Sequence, residues 1–241
     1  MDASFTNNGR ASSQKIANEC APRWLPLRRA YWAARRHLVR RDVLAFVHTG
    51  LVQPNTPPAD APRISISGAG PTSDAVGRGI ARQSGLTPDI IKARLDAGHL
   101  IVHANADDGA LLAWGWIALA DHNLRLDWET DLHLQVAAGI GYLFDFETMP
   151  AARNHGLYRQ LLAVAVKRCF ANGARLVGIY CRADNAASRR GILAAGFTNA
   201  VPASVLRLGP MFRVKTRDRT RWGWAMGDVP LTEMLHTTSV I

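Results

Sequence analysis

The fold of this chain depends on the stretch Tyr142-Leu-Phe-Asp-Phe-Glu-Thr-Met149 and on the loop Arg153-Asn-His-Gly156-Leu-Tyr-Arg159 that follows it. The first stretch is an extended apolar segment typical of a strand, and Pro150 ends it because proline cannot donate to a sheet ladder. Gly156 lets backbone amides approach a ligand without an intervening side chain. The loop opens a helix over about residues 159–172, whose positive N-terminal end reinforces those amides. The pattern therefore predicts a cradle that holds an anion such as a pyrophosphate largely by main-chain groups.

A second strand follows this helix. Asn172-Gly173 is typical of a helix C-terminus, and Arg175-Leu-Val-Gly-Ile-Tyr-Cys181 is a buried apolar run. A crossover of this length implies two parallel strands joined in a right-handed sense, with a ligand crevice at their carboxyl ends. The second strand leads to Asn185, Ser188 and a short helix that ends in Ala195-Gly196-Phe197.

This ordered pair of motifs resembles the acyl-coenzyme A core of the GNAT N-acyltransferase superfamily. That core runs strand, (Arg/Gln)-x-x-Gly-x-(Gly/Ala), helix, strand, Asn, short helix and Gly-Phe. Arg153-x-x-Gly156 supplies the first motif, and Asn185 lies twelve residues before Phe197 in the second. The resemblance is close over residues 142–197 and looser over 87–210. It implies an α/β (α+β) fold: a mixed, mostly antiparallel twisted sheet with helices on both faces and a splayed parallel strand pair.

The same resemblance implies acetyl-coenzyme A, or another acyl-coenzyme A, as co-substrate. Arg153 and Arg159 are expected to supply positive charge to its phosphates, and His155 to donate to them. Asn185 is expected to bind the pantetheine arm or to cap the short helix, and these two roles are compatible. The predicted cofactor contacts are Phe146, Thr148, Arg153, Asn154, His155, Gly156, Leu157, Tyr158, Arg159, Asn185 and Ser188.

The implied reaction is direct attack of an amine on the thioester in a ternary complex. Backbone N–H groups of the cofactor strand meet the oxyanion, and a base removes a proton from the ammonium. Glu147 is the first candidate for that base, and Asp145 is its nearest competitor because period-two alternation places both on one strand face. An ordinary ion pair of Glu147 with Arg153 or Arg182 is the alternative. More distant candidates are Asp127, Glu129, His103 and His133.

Two positions depart from the family pattern. Tyr158 stands where the third loop position is usually Gly or Ala, so its ring must find room. Ile192 stands where the family often carries a Tyr, four residues before the Gly of Gly-Phe, and the usual proton donor to the departing thiolate is therefore missing. A thiol is a tolerable leaving group, so turnover need not be abolished. A non-catalytic acyl-coenzyme A binding or regulatory module is the alternative.

The acceptor stays open at this level. A small amine, an amino sugar and a protein amine all suit this scaffold, because acceptor choice lies in loops. Three cysteines, Cys20, Cys169 and Cys181, are too few and too scattered for a disulfide framework or a metal site, and we expect no metal. Direct transfer needs no cysteine nucleophile.

Composition fits one core with tails, since 241 residues are 48% hydrophobic and 20% charged. We predict a polar then basic arm at residues 1–41, the acyltransferase domain at 42–215 and a C-terminal tail at 216–241. The apolar run over residues 111–120 is about half the length of a membrane-crossing helix, so we expect no span. The N-terminus lacks the basic-then-apolar order of a secretory signal, and a cytoplasmic protein is expected.

The net charge of +10 is concentrated in the N-terminal arm. Such a stretch can contact nucleic acid, lie on a membrane surface, attract an acidic substrate or be a solvated arm. Nucleic-acid binding is the least favoured alternative, because the arm has no recognisable reading element. Coenzyme A is itself anionic, so part of the excess can attract it. The arm carries Arg23, Arg28, Arg29, Arg35, Arg36, Arg40 and Arg41 with Trp24, Tyr31 and Trp32.

The other elements are predicted from local pattern. Residues 42–48 form a first strand, and Gly68-Ala-Gly70-Pro-Thr-Ser73, which imitates a dinucleotide fingerprint, is interpreted as a loop. Thr87-Pro88-Asp89 starts a helix. Residues 100–103 and 111–116 form a hairpin across an Asp-Gly turn. Alternation over residues 122–136 favours another strand pair, and residues 203–214 supply the last strands.

Overall fold

The computed structural model describes residues 38–50, 62–119, 123–127, 132–135, 138–208, 211–216, 220–224 and 228–230. Within these ranges the strands are β1 (Leu38–His48), β2 (Ile64–Ser67), β3 (Leu100–Asn105), β4 (Leu111–Ala118), β5 (Asn123–Asp127), β6 (Leu132–Gln135), β7 (Ile140–Thr148), β8 (Leu176–Arg182), β9 (Thr198–Leu208), β10 (Met211–Thr216), β11 (Thr220–Trp224) and β12 (Asp228–Pro230). The α-helices are α1 (Pro71–Ser84), α2 (Pro88–Asp96), α3 (Leu157–Ala171) and α4 (Ala186–Ala194), and Pro150–Ala152 forms a short 3-10 turn.

The main sheet has nine strands in the order β11-β10-β9-β1-β8-β7-β4-β3-β2. Strands β7 and β8 are parallel, and the other neighbours in this sheet are antiparallel. A second sheet of three described strands has the order β12-β6-β5. The predicted fold class, a mixed and mostly antiparallel sheet with one parallel pair at the cofactor motif, is confirmed.

Apolar side chains cover both faces of the main sheet. Helices α1 and α2 pack on one face, where Ile80, Leu95 and Trp116 belong to one buried cluster. Helix α3 packs on the other, where Leu161 and Ile179 belong to a second cluster. Since each strand alternates its side chains between the two faces, the central strands are buried on both sides and can hold a site between them. We call these the α2 face and the α3 face.

A β-bulge interrupts β7 where it pairs with β4. Trp116 lies opposite Phe144 and Trp114 lies opposite Glu147, so β7 carries one residue more than β4 over this interval. Asp145 takes up the extra length with a left-handed φ of 48°. The ring of Phe146 lies across Gly115, where a Cβ atom would overlap it. The bulge bends β7 away from a regular ladder at the carboxyl end of the strand.

The loop predicted over residues 68–73 is present at residues 68–70 but wrong for residues 71–73, because a helix already begins at Pro71. Strand β2 ends at Ser67 and α1 begins at Pro71, where the missing N–H of proline costs nothing. Val76 and Ile80 form the buried stripe of α1, and a Cβ on Gly77 would lie 3.0 Å from the Ile91 side chain of α2. The glycines therefore permit close helix packing rather than breaking the helix.

Other elements agree with the sequence except at their ends. Thr87 caps α2 by accepting from the N–H of Ile90, and the β3–β4 hairpin closes across Ala106–Gly109. Strand β1 begins at Leu38, four residues before the expected strand and inside the predicted arm, and it lies between β8 and β9. Strands β11 and β12 lie within the predicted C-terminal tail. The rest of the arm, residues 1–37, and residues 231–241 lie outside the described residues, as do Trp128 and Glu129.

Candidate functional site

The two parallel strands separate at their carboxyl ends. They pair from Ile140 with Leu176 to Leu143 with Ile179, and no further pairing follows. A cleft of about 180 Å³ occupies the gap. It is lined by Phe144, Asp145, Phe146, Tyr158, Ile179, Tyr180, Cys181, Arg182, Asn185 and Ser188.

The loop between β7 and α3 forms a second wall of the site. Its backbone is left-handed at Asn154, with φ of 67°, and at Gly156, with φ of 71°. Gly156 is the N-cap of α3 and provides no side-chain hydrogen bond, so the N–H groups of residues 157–159 receive no capping bond. Such open first-turn amides, at the positive end of a fifteen-residue helix, are suited to an anion.

The side chains of this loop differ in what they can reach. Arg153 donates through Nε to the Thr148 carbonyl oxygen at 3.1 Å, which fixes the loop against the end of β7. Leu157 is buried in the cluster on the α3 face, so only its main chain can meet a ligand. The side chains of Arg153, Asn154, His155 and Arg159 are exposed.

Tyr158 finds its room between α3 and α4. Its ring packs edge-on against Phe146 at 5.9 Å and lies over Gly191, where a Cβ atom would overlap it. Its hydroxyl lies 3.0 Å from Ser188 Oγ. Burial raises the pKa of Tyr158 to about 12, so the phenol stays protonated at ordinary pH. The Tyr158 ring therefore fits because Gly191 of α4 has no side chain in its way.

Asn185 and Ser188 form the start of α4. The Asn185 Oδ1 atom accepts from the N–H of Ser188 at 3.0 Å, which is the capping bond expected from the sequence. Both residues line the cleft. The cap and the Tyr158 contact together hold the Ser188 hydroxyl in one place.

The two candidate carboxylates both lie on the α2 face, and Phe146 between them lies on the α3 face, as strand alternation predicts. The bulge places Asp145 beside α2, where its Oδ2 atom accepts from Arg94 Nη2 at 2.6 Å. Glu147 is level with Trp114 and shares its face. Without the extra residue, Phe144 and Asp145 would point to opposite sides.

Arg94 is a site residue that the sequence did not reveal. Its guanidinium lies 5.0 Å from the ring centres of both Trp116 and Phe144, and its side chain is only 11% exposed. The Asp145 that it binds lies 51 residues further along the chain. Arg94 belongs to no sequence motif. Its one local signal is its position in the last turn of α2, where a cation interacts favourably with the helix dipole.

The surroundings of Glu147 change the pKa of its carboxyl group. Burial raises the pKa of Glu147, Arg153 opposes this shift, and Asp145 adds to it. Within the described part of the chain Glu147 makes no ion pair with Arg153 or Arg182, since Arg182 binds Asp184 at 2.7 Å. The ion-pair alternative for Glu147 is therefore not formed, although Arg153 is close enough to affect its pKa. Glu147 is not among the residues that line the cleft.

Among the more distant candidates, His103 is described with its side chain, and it does not line this cleft. His103 lies on β3 and bridges Ser67 Oγ at 3.0 Å and Asn105 Oδ1 at 2.7 Å, which ties the edge strand β2 to its neighbour. Asp127 and His133 belong to the three-stranded sheet.

Cys169 is fully buried, and burial raises its pKa to about 12. Burial also raises the pKa of Cys181.

Two kinds of feature are absent from the described ranges. No group of three or more His, Cys, Asp or Glu side chains there could hold a metal ion. Among the helices described, none has the length and apolar character to cross a membrane.

Comparison with known proteins gives a match to one family model and to solved structures of similar fold. Residues 81–197 match the model of the acetyltransferase (GNAT) family. A GNAT-family putative acetyltransferase from Novosphingobium aromaticivorans matches with a TM-score of 0.50 at 16% identity, covering 72% of this chain and 67% of that one. A GNAT-family acetyltransferase from Colwellia psychrerythraea matches with a TM-score of 0.50 at 15% identity, covering 85% and 75%. At these identities the structures show the fold alone. Comparison with curated proteins gave no match.

Proposed function

We propose that this chain transfers an acetyl or similar acyl group from acyl-coenzyme A to a primary amine, because residues 81–197 match the model of the acetyltransferase (GNAT) family. The amine attacks directly in a ternary complex. The observation that carries this proposal is the cleft that opens after Leu143 and Ile179, beside the uncapped N-terminus of α3. A small amine, an amino sugar and a protein amine are the acceptors that it covers.

The cofactor binds across the loop and the cleft in this proposal. Its pyrophosphate meets the N–H groups of residues 157–159, with Arg153, His155 and Arg159 nearby as positive or donating side chains. Its pantetheine arm runs along the main chain of Phe146 and Thr148. The arm can hydrogen-bond there as an added strand would, because β8 no longer pairs with this part of β7.

Glu147 is the base in this proposal. Its raised pKa supports the role, because a carboxylate whose pKa lies closer to neutral is a better proton acceptor. Asp145 is the weaker candidate because its carboxylate already accepts from Arg94. The ammonium proton passes to Glu147 directly or through one water, and main-chain N–H groups at the bulge meet the oxyanion.

Thiol release from acetyl-coenzyme A, measured over a panel of amines, tests the proposal. Glu147→Gln should lower kcat by about 100-fold while the dissociation constant of coenzyme A stays the same. Asp96→Asn is the matched control, since Asp96 is an exposed carboxylate that pairs with Lys92 on α2. Equal kcat for wild type and Glu147→Gln would remove Glu147 from the mechanism.

The second candidate function is an acyl-coenzyme A binding module without catalysis. It is favoured by Ile192, which is fully buried and supplies no proton donor from α4. Tight binding of coenzyme A without thiol release, for every amine in the panel, would support the module over the enzyme.

A further inference from the structure

One ion pair joins α2 to the bulge of β7. Arg94, in the last turn of α2, donates from Nη2 to Asp145 Oδ2 at 2.6 Å. Its Cζ atom lies 5.0 Å from the ring centres of both Trp116 and Phe144, and its Nη1 atom has no hydrogen-bond partner among the described residues. Arg94 is therefore held by two rings and one carboxylate, and that carboxylate belongs to a residue that lines the cleft.

The surroundings of Asp145 are not what stability alone would favour. Its φ of 48° lies in the left-handed region, which residues other than glycine rarely adopt. Its partner Arg94 is a largely buried charge, and apolar side chains of similar size often stabilise a core as well as a buried ion pair does. A strained backbone persists only where its surroundings hold it. Holding the bulge therefore explains this contact better than a gain in stability does.

The bulge controls which side chains β7 presents on each face. Asp145 and Glu147 lie on the α2 face, and Phe146 lies on the α3 face. If the extra residue of the bulge moved elsewhere in β7, the side chains between the two places would exchange faces. The position of Glu147 and of the main-chain N–H groups at the bulge therefore depends on Asp145 staying where Arg94 binds it.

The ion pair also affects the charge around Glu147. Asp145 raises the pKa of Glu147, and Arg153 opposes this shift. The positive charge of Arg94 partly cancels the field of the Asp145 carboxylate, so Arg94 acts on Glu147 through Asp145. The charged and titratable groups on the elements around Glu147 are Asp145 on β7, Arg94 on α2, Arg153 on the loop to α3, and Tyr180, Arg182 and Asp184 on and after β8.

We propose that Arg94 is a positioning residue for acyl transfer: its ion pair with Asp145 holds the bulge of β7 in place and compensates the negative charge beside Glu147. This inference rests on the proposed function, in which Glu147 is the base. The reaction gains no new step, because the ammonium proton still passes to Glu147. Asp145 stays bound to Arg94 and does not compete for that proton.

The first test removes the cation. Arg94→Met keeps a long side chain between the rings and should lower kcat by about 10- to 100-fold, because misplacing a reacting group by about 1 Å can cost about 100-fold. Affinity for coenzyme A should stay the same, and Arg94→Lys should recover part of the rate. Lys92→Met is the matched control, since Lys92 forms an exposed ion pair with Asp96 on the same helix. An equal loss of kcat in Lys92→Met would overturn the inference.

The second test uses the pH profile, which a purely structural role would not change in this way. The acid limb of kcat/KM reports the pKa of the base in the free enzyme. Arg94→Met should move this limb to higher pH, because the charge of Asp145 is no longer compensated. Asp145→Asn should move it to lower pH, because the charge that raises the pKa of Glu147 is gone and asparagine tolerates a left-handed φ.

The double variant checks that Arg94 acts through Asp145. Its acid limb should match that of Asp145→Asn alone, because the carboxylate that Arg94 compensates is absent. Shifts of the two single variants in the same direction, or no shift in either, would overturn the inference.

A titration of Glu147 by carbon-13 NMR in the free protein measures the same shifts without turnover. If wild type transfers no acyl group to any amine, the proposed function fails, while opposite shifts in this titration still show that the ion pair sets the charge beside Glu147. If wild type transfers acyl groups and Arg94→Met does so at the wild-type rate, the proposed function stands and the role of Arg94 is wrong.

Discussion

Two segments of this chain run from a strand to a helix whose N-cap is a glycine, and only one of them begins at the carboxyl end of a parallel strand pair. The first joins β7 to α3 through residues 149–156, and the second joins β2 to α1 through residues 68–70. Each ends in a glycine with positive φ as N-cap, and neither cap provides a side-chain hydrogen bond. They share the glycine N-cap, and the second also imitates a nucleotide-binding fingerprint.

The surroundings of the two segments differ. The β7 segment belongs to the parallel crossover, so its helix N-terminus meets the gap where β7 and β8 separate. The β2 segment begins on an edge strand whose described partner, β3, is antiparallel, and Ser73 Oγ donates to the Gly70 carbonyl oxygen at 2.6 Å. A glycine turn before a helix is therefore not sufficient for a ligand site. A cavity of about 340 Å³ lies beside the β2 segment too, lined by Ala69, Gly70 and Ser73 together with residues of α1 and α2. The two segments therefore differ in strand topology, not in whether a cavity is present.

The largest difference between the segments should come from placing an acid in each turn. Gly156→Glu should weaken coenzyme A binding by about 100-fold or more, because a carboxylate would repel the pyrophosphate at the helix N-terminus. Gly70→Glu makes the same change in the β2 segment and should leave that affinity unchanged. Isothermal titration of both variants measures this. Retained affinity in Gly156→Glu would show that the phosphates bind elsewhere.

A smaller effect is expected when the bulge is disturbed. Gly115→Ala puts a methyl group into the Phe146 ring and should cost about 1–3 kcal/mol of unfolding free energy, with about a 10-fold loss in kcat/KM. Gly77→Ala is the control at the other segment, since its Cβ would crowd Ile91 of α2 instead. It should lose stability but keep kcat/KM. Denaturant unfolding and steady-state kinetics separate the two results, and equal kinetic losses would contradict a specific role for the bulge.

Removing one positive charge from the β7–α3 loop should have a smaller effect on coenzyme A binding. Arg153→Ala should weaken coenzyme A binding by about 3- to 10-fold, and more at low salt, because Arg153 is exposed and its charge is screened. Arg78→Ala, an exposed arginine on α1, should have no effect on binding. Titrations at two ionic strengths test this. An affinity of Arg153→Ala that matches wild type at low salt would place this arginine outside the phosphate site.

The smallest expected effect concerns stability and pH. Burial raises the pKa of Glu147, so the folded state binds its proton more tightly than the unfolded state. The stability from this group is present below the ordinary carboxyl pKa and is lost as pH rises through the raised value. Glu147→Gln should therefore melt slightly higher than wild type at pH 8, with little difference at pH 4. A lower melting temperature at pH 8 would show that the charged form is well compensated.

Signals between residues close together in the chain predicted part of the site. Pro150 ends β7, and Gly156 and Asn185 are the N-caps of α3 and α4. Each of these residues acts on backbone only a few positions away in the chain. Local signals of this kind predicted the β7–α3–β8 crossover and its place in a mixed sheet. The same local reasoning failed at α1, because the role of Gly77 is to admit Ile91 of another helix.

The sequence alone determined the order of strand, cradle, helix and strand, because turn, cap and period signals depend on neighbouring residues. Only the tertiary structure decided the bulge at Asp145, its ion pair with Arg94 and the contact of Tyr158 with Ser188. The last two join residues 51 and 30 positions apart. Such contacts depend on how sheet and helices pack, so no pattern within one element could predict them.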